Sequence, residues 1–212
     1  MSCHPPIRRS HEIDDTDSAG LILAGGEGKR WGGPKAWAKL PDGRTFLESC
    51  FHTLQVAGIR PIVATLPPEA DEPPLDELVT VNLEESGLDM FASLVAGLSR
   101  LVEHRNWKTT VILPVDHPLV SASTITTLAI ATVRATIPSF NGKHGHPVCL
   151  ERSVAENIVN GTLTGPTLRE VMRSVDAVDV PVADVGVISN CNSPEALAKA
   201  LDVIHLRPTT QN

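Results

Sequence analysis

This sequence has few aromatic residues, a negative net charge and no long apolar run. Its 212 residues include no Tyr, four Phe and three Trp, and the formal net charge is −7. Few side chains can therefore stack on bases, and an acidic chain is a poor match for a polyphosphate backbone, so we expect no nucleic-acid partner. No apolar run reaches the roughly 18 residues that a membrane span needs, so we expect no membrane partner.

Cysteines are few and widely separated. The four of them form neither a C-x-x-C pair nor a zinc-finger spacing, which argues against a structural zinc site and predicts reduced thiols in a cytoplasmic protein. The first 18 residues lack the apolar segment of a secretory signal. We expect a disordered tail over residues 1–18, one domain over residues 19–206 and a short tail over residues 207–212.

Strand patterns alternate with helix patterns along the chain. Uniformly apolar stretches predict buried strands, and apolar residues three and four positions apart predict helices. The predicted strands are residues 21–24, 61–66, 79–83, 109–115, 146–150 and 179–182. The predicted helices are residues 46–57, 90–102, 153–160 and 166–174, one with Ile125, Leu128, Ala129, Thr132 and Val133 on a single face, and one that begins at Ser193. This alternation predicts an α/β fold, a single-domain three-layer α/β/α arrangement around a mainly parallel sheet.

A glycine-rich loop follows the first predicted strand. Residues 23–35 read LAGGEGKRWGGPK, with five glycines and three cations. Glycines let backbone N–H groups approach a phosphate, while Arg and Lys supply the opposite charge. The Walker pattern fails at Leu23 and Arg30, and the dinucleotide pattern fails at Trp31. The loop predicts phosphate binding of another kind, and a glycine-rich turn with solvated charges is the alternative.

A carboxylate ends the most apolar predicted strand. Asp116 closes the string VILPVD, which is followed by His117-Pro118. Strands of a parallel sheet bind ligands at their carboxyl ends, so Asp116 and the glycine-rich loop are expected to be neighbours. Mg²⁺ prefers one or two carboxylates plus phosphate oxygens. Alone, Asp116 would be a turn or cap residue, but beside the loop it is predicted to bind Mg²⁺.

These strings together resemble the small nucleotidyltransferases that attach GMP or CMP to molybdopterin. LAGGEGKRWGGPK is similar to that family's LAGG-x-x-x-R-M-G-x-x-K signature, with Trp31 in place of methionine, which leaves the packing under the loop open. VDHPLV and NCNSPE are similar to its metal-binding segments. The resemblance runs from about residue 21 to residue 201 and implies a Rossmann-like nucleotidyltransferase fold.

The resemblance also implies roles for particular residues. The expected catalytic residues are Lys35, Arg30 and Asp116, and Mg²⁺ is the expected cofactor, with Asp116, Asn190 and Asn192 as its ligands. The expected nucleotide contacts are Leu23, Ala24, Gly25, Gly26, Gly28, Lys35 and Ser93. Ser93 lies in a stretch similar to the family's base and ribose segment, and we expect its hydroxyl and a free backbone N–H to meet a base edge. The expected residues on the acceptor side are His144 and His146.

The implied reaction transfers a nucleoside monophosphate from a triphosphate to a phosphorylated acceptor, most directly molybdopterin, and releases pyrophosphate. The stretch around Ser93 and the His-Pro segment are similar to the cytidylyl branch and favour CTP slightly, whereas Asn190 and Asn192 are similar to the guanylyl branch and favour GTP. Alternatives are a sugar-phosphate or phospholactate nucleotidyltransferase and a non-catalytic nucleotide-binding cofactor chaperone. A molybdoenzyme or a cofactor-insertion protein is a further candidate partner.

Overall fold

The computed structural model describes residues 17–85, 87, 89–165 and 167–205. Residues 1–16 and 206–212, which make up nearly all of the two predicted tails, lie outside the described residues. Ser18 is already the first residue of a strand and is buried. The first strand therefore begins one residue before the predicted boundary at residue 19.

Strands and helices alternate through the described residues. The strands are β1 (Ser18–Leu23), β2 (Ile62–Leu66), β3 (Leu78–Asn82), β4 (Thr109–Pro114), β5 (Ala135–Phe140), β6 (Lys143–His144), β7 (Val148–Glu151) and β8 (Val178–Pro181). The helices are α1 (Phe46–Val56), α2 (Met90–Val102), α3 (Ala122–Ala131), α4 (Arg152–Val159), α5 (Leu168–Ser174) and α6 (Pro194–His205). Short 3-10 helices cover Lys29–Trp31, Lys35–Trp37 and Val185–Ile188.

The strands form one mixed sheet in the order β3-β2-β1-β4-β7-β5-β6, and β8 pairs with β5. β1, β2, β3 and β4 are mutually parallel, and β8 runs parallel to β5. The mainly parallel sheet is thus confirmed. It is not fully parallel, because β7 runs antiparallel to both β4 and β5, and β6 runs antiparallel to β5.

Helices cover both faces of the sheet, which confirms the three-layer prediction. Along β1, Ile22 packs into the cluster formed with α1, α3 and α6, while Leu21 and Leu23 pack into the cluster formed with α2, α4 and α5. Alternate residues of a strand point to opposite faces, so a strand buried on both sides is apolar throughout. Gly97 lets α2 approach β1 closely, since a Cβ there would lie 2.4 Å from Leu21.

Local capping explains where most helices begin. Thr45 and Glu48 form a reciprocal capping box at α1, and Ser193 caps α6 as predicted, accepting a hydrogen bond of 3.2 Å from the N–H of Ala196. The predicted apolar face of α3 extended past the C-terminal end of the helix. The helix stops at Ala131, and Val133 is 74% exposed. None of the helices among the described residues is long and apolar enough to cross a membrane.

Candidate active site

The glycine-rich loop leaves β1 at the carboxyl edge of the parallel strands. Gly28 has φ +61°, and a Cβ there would lie 2.0 Å from the carbonyl oxygen of Gly33, so the loop closes tightly on itself. Gly25 is packed as closely, since its Cβ would lie 2.2 Å from the side chain of Leu83. Glycine is required at both positions, at Gly28 by conformation and at Gly25 by space.

Backbone N–H groups of this loop are free to bind an anion. Within the described residues, the N–H groups of Gly25, Gly26 and Gly28 donate to no protein acceptor. The predicted contacts Leu23 and Ala24 differ, because both are buried and their backbones are used in the sheet. The N–H of Ala24 donates to Thr65 over 3.0 Å, and the carbonyl of Leu23 accepts from Val115 over 3.0 Å. The backbone N–H groups of the glycines, rather than those of Leu23 and Ala24, would therefore bind a phosphate.

Lys35 joins three separate segments of the chain. Its Nζ donates to Oδ2 of Asp116 over 2.9 Å and to Oδ1 of Asn192. The backbone N–H of Cys191 also donates to the carbonyl of Asp116 over 2.7 Å. Both charged side chains are largely buried, with exposed fractions of 23% for Lys35 and 15% for Asp116. The structure thus brings together the residues predicted to be catalytic and metal-binding, apart from Arg30 and Asn190.

Arg30 and Asn190 lie at the exposed rim of this cluster. Arg30 is in the short helix Lys29–Trp31, and no carboxylate of the described residues pairs with it. The side chain of Asn190 reaches a cleft rather than Lys35. The neighbouring cation of the loop, Lys29, instead forms a surface ion pair with Glu27 over 2.9 Å. Arg30 is therefore free to meet a bound anion.

Trp31 ties the loop to the segment around Cys191, a link that sequence reasoning missed. Its Nε1 donates to the carbonyl of Cys191 over 3.0 Å, and its ring meets Phe46 edge to face at 5.3 Å. Tryptophan packs where the family signature has methionine, and it adds a hydrogen bond that methionine cannot donate. These two contacts fix the packing of Trp31 under the loop, which the sequence left open. The sequence signal that could have indicated this link is the indole N–H of Trp31, which is followed directly by two glycines.

A large cleft opens beside the cluster. Its volume is about 1240 Å³, and its lining includes the start of α2, His117, the segment around His144 and His146, and α5. His144 is on the surface, with Nε2 3.7 Å from Asp179. The ring of His146 points inward and lies 5.0 Å from the ring of His117. The two predicted acceptor-side histidines therefore share the cleft but occupy different environments.

Burial sets the protonation of the inner histidines. Burial first, then the neighbouring His117, lowers the pKa of His146 to about 4, with Asp116 raising it and Arg169 lowering it. Burial also lowers the pKa of His117, which Asp116 and the Gly186 carbonyl raise in part. The Nδ1 of His146 is buried without a protein partner. Both imidazoles are therefore neutral at pH 7, and His117, next to Asp116 in sequence, is a site residue that sequence reasoning did not single out.

Ser93 lies beneath the loop rather than at the surface. It is 6% exposed, and its Oγ is 3.6 Å from the position of a Cβ on Gly25. Its backbone N–H and its hydroxyl both donate to the carbonyl of Asp89, each over 3.2 Å. The expectation of a free N–H at Ser93 is therefore wrong, because Ser93 lies inside the first turn of α2 rather than ahead of it. Its hydroxyl remains close to the loop.

The arrangement suits phosphate chemistry more than thiol chemistry. Burial first, then the nearby Asp116 carboxylate, raises the pKa of Cys191 to about 12, so this thiol is protonated at neutral pH. Among the described residues no group of three or more His, Cys, Asp or Glu could hold a metal ion. What converges instead is a set of free N–H groups, the ammonium of Lys35, the carboxylate of Asp116 and the amide oxygen of Asn192.

Comparison with known proteins identifies a nucleotidyltransferase domain, the type that the sequence resembles. Residues 20–180 match the model of the MobA-like NTP transferase domain. The molybdenum cofactor guanylyltransferase of Xanthomonas euvesicatoria is 29% identical over 197 residues, which cover 89% of this chain and 95% of that protein.

Solved structures agree on the fold. Rv0371c of Mycobacterium tuberculosis superposes with a TM-score of 0.74 at 23% identity, covering 87% of this chain and 97% of that one. A manganese complex of Rv0371c superposes with a TM-score of 0.63 at 22% identity, covering 87% and 98%. The nucleotidyltransferase-like α/β fold predicted from the sequence is confirmed.

Proposed function

The chain belongs to the family of MobA-like NTP transferase domains and is a nucleotidyltransferase, and from this premise we propose that it transfers GMP from GTP to the phosphate of molybdopterin. The observation that carries the proposal is the convergence of Lys35, Asp116 and Asn192 beside a loop with free N–H groups. The name of the Xanthomonas relative supports both the nucleotide and the acceptor.

The sequence favoured CTP slightly, and two observations now favour GTP. One is the guanylyltransferase name of the relative. The other is Glu27, whose Oε1 lies 3.3 Å from the position of a Cβ on Gly87, in the segment predicted to select the base. A carboxylate can accept from both the N1–H and the N2–H₂ donors of guanine at once, whereas cytosine offers it only the N4–H₂ donor, next to the acceptor N3. Glu27 therefore supports guanine over cytosine.

The proposed chemistry is an in-line attack of an acceptor phosphate oxygen on the α-phosphorus of GTP. The P–O bond to the new acceptor forms as the bond to pyrophosphate breaks. Two unit charges ~4 Å apart repel by about 4 kcal/mol at an effective dielectric of ~20, which corresponds to about three decades in rate. Lys35 and Arg30 would offset this repulsion, and the loop N–H groups would hold the leaving pyrophosphate. A monoester phosphate is already ionised at pH 7, so no strong base is needed.

The donor set around Lys35 fits a hard divalent cation. Oδ2 of Asp116 and Oδ1 of Asn192 both face the ammonium of Lys35, so oxygen ligands already converge on one positive charge. Mg²⁺ takes one or two carboxylates and completes its shell with phosphate oxygens and water. Asp116 would hold the ion with Asn192 as a weaker amide ligand, and Asn190 would have to move from the rim of the cluster to join them. When bound, the ion supplies Lewis-acid stabilisation of phosphate charge.

The manganese complex of the structural neighbour Rv0371c makes Mn²⁺ a suitable probe of this site. Electron paramagnetic resonance of free Mn²⁺ should show binding to the wild-type protein with GTP and much weaker binding to Asp116→Ala with GTP. Equal binding by both proteins would place the metal elsewhere.

A pyrophosphate-release assay tests the function directly. The four common triphosphates are each combined with molybdopterin, a panel of sugar 1-phosphates, or phospholactate. We expect release to need GTP and molybdopterin together. Release with a sugar phosphate or with phospholactate would reassign the acceptor, and GTP binding without release from any acceptor would indicate a nucleotide-binding cofactor chaperone instead.

Base selection is tested with Glu27→Gln and Ser93→Ala. A site that hydrogen-bonds one base loses about 1–3 kcal/mol for each buried group left unpaired. Glu27→Gln should narrow the ratio of kcat/KM for GTP over CTP by roughly tenfold. Ser93→Ala should change this ratio only if its hydroxyl leaves Asp89 for the base. An unchanged ratio in both variants would move base recognition to another segment.

We also propose a cytoplasmic location and, as a partner, a molybdoenzyme or a cofactor-insertion protein that receives the product. Cys50, Cys149 and Cys191 are free thiols and all are buried. Reduced cysteines are typical of cytosolic proteins.

A further inference from the structure

Two arginines on α5 line the cleft. Arg169 and Arg173 are four residues apart, which places them on the same side of the helix, and both line the cleft. No carboxylate of the described residues forms an ion pair with either of them. Arg152 shows the contrast, because its guanidinium pairs with Glu156, donates to the carbonyls of Val102 and His104, and lies over the ring of Trp107.

Helix stability does not account for this pair. Arg169 is the second residue of α5, where the helix dipole disfavours a positive charge. Like charges four residues apart on a helix also repel each other. Arg173 is better placed, since it lies in the last turn. The structure therefore holds two arginines on one side of a short helix at a small cost to that helix.

The arginines share the cleft with the nucleotide side. The start of α2, next to the segment proposed to select the base, lines one part of the cleft, and α5 lines another. His117, adjacent to Asp116, and His146 line the same cleft. Arg169 is close enough to His146 to act on its charge. A ligand held by α5 would thus extend towards Asp116 and the α-phosphate of a nucleotide on the loop.

The remaining lining is mixed and leaves α5 as the basic part of the wall. Lys143 adds a positive group and His144 an imidazole, and Asp89 and Asp176 add negative groups. His144 already faces Asp179. Met90, Phe91, Ile137 and Met172 contribute apolar surface. An acceptor with an anionic group at one end and an apolar or ring-shaped body would match this combination.

We propose that Arg169 and Arg173 form a clamp for the phosphate monoester of the acceptor substrate. The inference rests on the proposed function, because it assigns the acceptor subsite of that same reaction. A guanidinium presents paired N–H donors that match phosphate oxygens, and two of them can bind one monoester. The clamp anchors and orients the phosphate, and its role is in binding rather than in bond making.

Kinetics with Arg169→Gln, Arg173→Gln and the double variant test the clamp. Removing one charged hydrogen-bonding partner should raise KM for molybdopterin about 10-fold, and removing both should raise it about 100-fold. KM for GTP should stay within about twofold of wild type. Arg105→Gln is the matched control, since Arg105 is exposed in the turn that precedes β4, at the opposite edge of the sheet. Arg169→Lys should recover part of the loss, because it restores charge without the paired donors.

A binding measurement keeps the clamp separate from the choice of acceptor. Inorganic phosphate is titrated by calorimetry into protein saturated with a non-hydrolysable GTP analogue, so that the glycine-rich loop is already filled. Wild type and Arg105→Gln should bind phosphate, and the double variant should bind it at least about 10-fold more weakly.

The results of these experiments distinguish failure of the clamp from failure of the proposed function. An unchanged KM for molybdopterin in the double variant, or equal phosphate affinity in all proteins, would overturn the clamp while leaving the proposed function intact. If wild type released no pyrophosphate with molybdopterin, the proposed function would fail, and weaker phosphate binding by the double variant would still support the clamp. Failure of wild type to bind phosphate would overturn it.

Discussion

Among the cations of the loop, Lys35 is the one whose removal should lower the reaction rate most. Its ammonium lies 2.9 Å from Asp116 in a largely buried cluster. At an effective dielectric of ~20, a unit charge ~4 Å from a developing negative charge contributes about 4 kcal/mol. Arg30 and a bound divalent ion would share part of this stabilisation. We expect Lys35→Ala to lower kcat and kcat/KM together by roughly two to three decades.

Lys29→Ala is the matched control for this prediction. Lys29 belongs to the same loop, but its side chain is 87% exposed and is paired with Glu27. Because solvent screens an exposed charge, its loss should change kcat/KM by less than about threefold. Steady-state pyrophosphate release with saturating acceptor gives both constants, and thermal unfolding verifies that each variant folds.

Three results would refute the reasoning about Lys35. Near wild-type turnover of Lys35→Ala would show that its charge is not used. An effect confined to KM for GTP would show that Lys35 binds the ground state only. An equal loss in Lys29→Ala would show that the net charge of the loop matters and that the buried geometry does not.

Three further predictions concern the groups around Lys35. Asp116→Ala should abolish turnover and leave the far-ultraviolet circular dichroism unchanged, and substantial turnover would remove Asp116 from the site. Trp31→Phe keeps a ring beside the core but loses the hydrogen bond to Cys191, so it should lower stability by about 1 kcal/mol and kcat several-fold; a fall in stability with unchanged kcat would make the bond purely structural. The pKa of His146 is lowered to about 4 in the folded state, so the stability that its neutral form contributes is complete above the unfolded pKa near 6.5. This stability is lost as pH falls from about 6.5 to about 4, at about 1.4 kcal/mol per pH unit. Urea unfolding of His146→Gln should therefore show a flatter pH dependence in that window than wild type, and an identical pH dependence of the two proteins would contradict the prediction.

Sequence patterns were most reliable where one physical signal dominated. β1 is buried on both faces and ends in paired glycines, so its apolar run and the loop were both predictable. The helix α2 begins and ends as predicted because its apolar stripe is regular and Asp89 caps it. The agreement of Lys35 and Asp116 with the predicted pair follows from the rule that parallel strands place their carboxyl ends at one edge.

β5 and β6 were missed because their local signals are weak. β5 contains Pro138, which cannot donate to a strand ladder and therefore argues against a strand. β6 has only two residues. β7 begins at Val148, two residues after the predicted start, since Pro147 offers no N–H. The antiparallel direction of β7 depends on its pairing with β4 and β5, which no local pattern encodes.

Parts of the site escaped sequence reasoning because they depend on contacts between distant segments. The hydrogen bond from Trp31 to Cys191 spans 160 residues of sequence, and neither residue signals it alone. His146 and His144 are separated by one residue, yet one is inside and the other on the surface, because Gly145 packs against the carbonyl of Val187. The arginines of α5 gain meaning only from the cleft that they face.

The bond from Lys35 to Asn192 has a consequence for the timing of synthesis. The two residues are 157 positions apart, so at about 5–20 residues per second a ribosome needs roughly 8–30 s to pass from one to the other. During that interval the glycine-rich loop already exists, while the segment from Asn190 to Asn192 does not. A nascent or prematurely terminated chain can therefore present the loop to a triphosphate without the complete cluster. Catalytic competence would therefore appear only once the end of the chain is available, which a series of released chains truncated on either side of residue 192 could reveal.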